Sequence, residues 1–99
     1  MIMLARGGAA YCCLVKLDGR EVVAIPLFTR LGSIREYKQT HGIGEEWEAV
    51  FRPRHELAKA LGELQAAGAE YVQFESDGVE PEVVRIERLI ELLKTSEKN

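Results

Sequence analysis

Apolar positions dominate the first third of the chain. Residues 9–17 and 21–28 are two nearly continuous apolar runs, separated by Asp18-Gly19. An Asp-Gly pair between two such runs predicts a β-hairpin, because a type I′ turn needs positive φ at both central positions. Both runs are apolar on both faces, as expected of strands covered on two sides. Strand alternation groups Tyr11, Cys13, Val15, Leu17, Val23, Ile25 and Leu27 on one face, and Cys12, Leu14, Val22 and Ala24 on the other. Pro26 has no N–H for the ladder, so the end of the second strand is expected at an edge or bulge. Gly7-Gly8 sets residues 1–8 apart as an N-terminal segment free to be flexible.

Helical spacing begins after residue 30. Ser33 and Glu36 stand as a capping box, Ile34, Tyr37 and His41 share a face, and Gly42 marks the stop. Residues 46–51 alternate again, with Trp47, Ala49 and Phe51 together, and read as a strand. Pro53 opens a helix to about residue 67, carrying Leu57, Leu61 and Leu64 at i, i+4 and i+7. Gly68 ends it. Residues 71–75 form a short strand, Asp77-Gly78 a turn, and Ile86, Leu89, Ile90 and Leu93 a final helix. Val83-Val84 fits either a strand or the start of that helix, and residues 95–99 read as a frayed tail. The predicted order is ββαβαβ(β)α: one α+β domain with a mixed sheet opened by a β-hairpin and helices packed on it.

Length and composition narrow this further. Ninety-nine residues hold one domain, and 46% apolar with 29% charged residues is an ordinary globular balance. No apolar run approaches the ~20 residues that span a bilayer, and no basic region precedes Met1-Ile2-Met3-Leu4, so neither a membrane partner nor a signal peptide is expected. Residues 1–60 hold nine Lys/Arg against seven Asp/Glu, residues 61–99 four against nine, giving a net charge of −3. An acidic chain without a clustered basic face excludes a dedicated nucleic-acid binder. Abundant glutamate, more Arg than Lys and a single asparagine, Asn99, fit a thermophilic source.

The phrase Ile25-Pro26-Leu27-Phe28-Thr29, running into the helix at 33–41, resembles the N-terminal domain of the SseB-like family. The later elements at 46–51, 54–67, 71–75 and 83–93 fall in that family's order, so the resemblance covers about residues 10–94. Glu75-Ser76-Asp77 stands where the family has Asn-Pro. The resemblance implies a small bacterial accessory or interaction domain and brings no catalytic residues. Other short bacterial proteins of unknown function look similar.

Chemistry-bearing residues are few. Cys12 and Cys13 are adjacent, so alternation sends them to opposite faces; they lack Cys-x-x-Cys spacing and read as reduced core residues of a cytoplasmic protein. His41 and His55 have no spacing that joins them to a nucleophile, so no catalytic set, metal or cofactor is expected. Arg52-Pro53-Arg54-His55 puts three basic groups around the start of a helix, whose free amides favour an anion, with Arg30 or Lys59 in support. Solvation, or pairing with Glu45, Glu46 or Glu48, explains the same charges. Two functions are therefore expected: a non-enzymatic interaction domain, associating with itself as a homodimer, or a small-anion or small-ligand module at Arg52–His55.

Overall fold

A computed structural model describes residues 1–76 and 79–97. Its elements in chain order are β1 (Ile2–Arg6), β2 (Ala9–Ala10), β3 (Cys13–Leu17), β4 (Arg20–Phe28), α1 (Leu31–His41), β5 (Glu48–Phe51), α2 (Arg54–Ala66), β6 (Tyr71–Ser76), β7 (Val79–Arg85) and α3 (Ile86–Glu97). The fold is α+β, a mixed open sheet with helices packed on it. The predicted turn at Asp77-Gly78 lies outside the described residues.

Asp18 and Gly19 have φ of 51° and 80°, and Leu17 stands opposite Arg20. This two-residue turn fixes the β3–β4 register, and the register differs from the expected grouping by one residue. Cys13 stands opposite Ala24, Leu14 opposite Val23 and Val15 opposite Val22. Residues directly opposite in an antiparallel pair share a face. Val22 and Ala24 therefore join Cys13 and Val15, while Leu14 joins Val23, Ile25 and Leu27. A slip of one residue exchanges the faces of a whole strand, which is why this difference matters for the core.

The N-terminal segment, expected to be flexible, is instead structural. β1 pairs antiparallel with β5 over four positions, with β4 at Ile2–Phe28 and Met3–Leu27, and with β2 beyond Gly7-Gly8. Met3 and Leu4 are 2% and 1% exposed. Two strands are thus added to the predicted order. The run 9–17 is two strands rather than one, broken at Tyr11-Cys12. β4 is paired parallel with β6 on one side. On the other side its partner changes from β3, ending at Ala24, to β1, starting at Leu27. Pro26 sits at that change of partner, where the ladder is already interrupted, so a buried proline is tolerated inside the sheet rather than at its edge.

The two faces carry separate cores. On one, Leu57 and Leu61 of α2 and Ile86 and Leu89 of α3 pack on Met3, Ile25, Leu27 and Val72. On the other, Ile34 and Tyr37 of α1 pack on Leu4 and Phe28. α1 begins two residues before the predicted capping box. Arg30 is its N-cap residue, and Ser33 lies buried within the first turn. Gly42, at φ 64°, closes it in the left-handed conformation with its N–H on the Lys38 carbonyl. Val83 and Val84 lie in β7, paired with Gln73 and Val72. α3 continues through the expected tail as far as Glu97, with the Thr95 hydroxyl donating to the Glu91 carbonyl at 2.8 Å. Among the described residues no helix is long and apolar enough to cross a membrane.

Candidate functional site

Arg52 and His55, singled out together in the sequence, line different grooves. Arg54 and His55 are exposed in the first turn of α2, and Arg30 is exposed at the N-cap of α1. His55 lines a shallow groove with Lys59, Gln65 and Lys94, on the side of α2 that faces α3. Arg52 extends the β5 edge. Its N–H donates to the Met1 carbonyl at 2.8 Å, and the Met1 ammonium donates to its carbonyl at 3.1 Å. Its side chain lines a different groove, between the Gly7-Gly8 turn and α2. Pro53, with extended backbone, is the α2 N-cap residue and gives that helix end no capping side chain.

The sheet itself is the more conspicuous feature. α1 covers the end of its face built by Leu4, Phe28 and Tyr11, while Val15, Leu17, Val22 and Val83 join neither core cluster. On the opposite face, Leu14 is 68% and Val23 47% exposed, side by side near the hairpin tip. Aliphatic side chains are thus left incompletely covered on both sides of one hairpin.

The border of the covered region holds a cluster that sequence reasoning did not assemble. The Tyr37 ring meets Phe28 and Tyr11 edge to face at 5.1 and 6.4 Å and stacks on His41 at 4.1 Å. Trp47 meets Tyr11 at 5.2 Å. Cys13 lies beside Tyr37, its Sγ 3.5 Å from the Ala24 carbonyl and 3.9 Å from Gln73 Oε1. The Gln73 amide in turn donates to Glu75. The strand periodicity places Cys13, Gln73 and Glu75 on one face, but only the parallel β4–β6 register brings them together.

Burial pushes the Cys13 thiol above its ordinary value, with the Glu75 carboxylate adding to the effect and the Tyr37 hydroxyl opposing it. Burial, and then Cys13 itself, push Tyr37 far up. A thiol and a phenol held neutral are not an activated nucleophile and base. Cys12 is exposed and Cys13 half-buried, both as free thiols, so neither takes the core position expected of it. The break after β2 accounts for this, because it leaves Cys12 outside the ladder. No group of three His, Cys, Asp or Glu among the described residues is placed to hold a metal ion.

No protein-family model matches the chain, and no curated protein matches it.

Proposed function

We propose that this chain is a non-enzymatic interaction domain whose partner is a second copy of itself, joined through the free edge of β3. The observation that carries the proposal is the condition of that strand. Among the described residues it pairs with β4 alone, and it keeps Leu14 68% exposed. Unpaired strand edges recruit other strands unless they are blunted. β7 is blunted by Pro81 between Glu80 and Glu82, and β5 is only four residues long. β3 has no proline, and its one charge is Lys16.

An antiparallel pairing of two copies centred on Val15 sets each Leu14 opposite Lys16 of the partner subunit, and each Cys13 opposite Leu17 of the partner subunit. No like charges meet. The sheet becomes continuous, with Val15 of each copy beside Val15 of the partner subunit on the face that also carries Cys13 and Leu17. Association by main-chain pairing needs no catalytic group, in keeping with the accessory role that the SseB-like resemblance implies. Free thiols at Cys12 and Cys13 accord with a reducing, cytoplasmic setting.

Charge placement at Leu14 tests the pairing, because the side chain is exposed and lies outside both core clusters. Leu14→Lys sets an ammonium against Lys16 of the partner subunit and should shift sedimentation from dimer to monomer. Leu14→Glu sets a carboxylate there and should keep the dimer. A wild-type monomer at about 100 μM, or an equal response to the two variants, overturns the proposal.

A further inference from the structure

We infer that the groove between α2 and α3 docks an acidic segment of another protein. His55 and Lys59, one turn apart on α2, line it from one side, and Lys94 of α3 lines it from the other. No carboxylate is among the lining residues, although the chain holds 16 Asp and Glu against 13 Lys and Arg. Among the described residues, none of the three basic side chains has an ion pair or a side-chain hydrogen bond. Glu63, one turn beyond Lys59, lines the groove on the Gly7-Gly8 side of α2 instead. Like charges gathered in one groove repel one another, and an anionic occupant turns that cost into attraction.

Shape separates a peptide from a single ion. The lining positions His55, Lys59, Gly62 and Gln65 run along nearly three turns of α2, about 15 Å. The groove volume is about 470 Å³, far more than one phosphate or carboxylate fills. Its floor is low, built by Ala58 and Gly62 at i and i+4 and by the half-buried Ile90. A Cβ added at Gly62 would meet nothing within 4 Å, so the main chain of a partner can come close to α2 there.

The chemistry of the partner follows from the cations. A lysine ammonium is a compact charge on a flexible stem, so two of them can follow carboxylates spaced along a peptide. The net charge of −3 repels anions from the rest of the surface and confines the attraction to this groove. A nucleic-acid backbone needs a broader basic face than two lysines and an imidazole provide.

Acetylated hexaglutamate titrated into the ¹⁵N-labelled full chain tests the inference, with inorganic phosphate at matched ionic strength as the second arm. Hexaglutamate should give saturable amide shifts at His55, Lys59, Gly62 and Ile90. Lys59→Gln and Lys94→Gln should each weaken binding about two- to fivefold, the range of one exposed ion pair. Arg35→Gln, on α1 at the other face of the sheet, should leave it unchanged. Gly62→Leu raises the floor with a stronger helix former, and should abolish the shifts while the circular dichroism stays that of the wild type. Leu14→Lys, at the hairpin of the proposed dimer, should bind hexaglutamate as the wild type does. Absence of saturable shifts, equal saturation by phosphate, or an equal loss in Arg35→Gln would each overturn the inference.

Discussion

Tyr37 and His41, one helical turn apart on α1, stack with ring centroids 4.1 Å apart and planes inclined by 34°. The two rings do different work. Tyr37 is buried against Phe28, whereas His41 is exposed and covers it from outside. Tyr37→Ala should therefore lower stability by about 3–5 kcal/mol, as for other large core truncations, and His41→Ala by less than about 1 kcal/mol. Urea unfolding of the two variants checks the ratio. A larger loss at His41 would mean that the imidazole has a role beyond covering the ring.

Stability should fall at alkaline pH. The Cys13 and Tyr37 ionisations are both raised above their ordinary values of 9.0 and 10.0, chiefly by burial. An acid whose ionisation is raised on folding stabilises the native state fully below its unfolded value. That contribution is lost as pH climbs toward the folded value, because the unfolded chain releases its proton first. Unfolding free energy should thus be level with respect to these groups up to about pH 9 and decline above it. Tyr37→Phe, which removes one of the two ionisations, should make the decline shallower.

The two adjacent thiols should react at different rates. Cys12 is exposed, while Cys13 is half-buried beside Tyr37 and Gln73. Burial raises both thiols, so neither is an activated thiolate. Iodoacetamide under native conditions should label Cys12 first and Cys13 slowly, with mass spectrometry resolving the order. Equal rates at both positions would show that the β3–β4 hairpin opens readily.

Glycine replacements should take opposite signs at two helix positions. Gly42 has φ of 64° at the end of α1, so Gly42→Ala should cost about 1 kcal/mol although its Cβ would meet nothing. Gly62 lies inside α2, and its Cβ would also meet nothing within 4 Å. Gly62→Ala should therefore stabilise by about 0.5–1 kcal/mol, through reduced freedom of the unfolded chain. Thermal melts of both variants separate the conformational cost from any steric one.

What local chemistry controls was legible in the sequence. Asp18-Gly19 dictates the hairpin turn, Gly42 stops a helix, and the spacing of Leu57 and Leu61 marks the buried face of α2. Each of these rests on the conformational range of one or two residues, or on periodicity within one element. The tertiary structure decided everything that depends on which element lies beside which. Met1-Ile2-Met3-Leu4 is too short to declare itself as a strand, and it becomes one because β4 and β5 offer edges on either side. Cys13, Gln73 and Glu75 meet only through the parallel β4–β6 pairing, which joins segments some fifty residues apart. Arg52 and His55 are three residues apart, yet they line different grooves, because Arg52 continues a strand while His55 lies in the first turn of a helix. Local sequence sets backbone conformation; long-range pairing sets which side chains share a face and which are left uncovered.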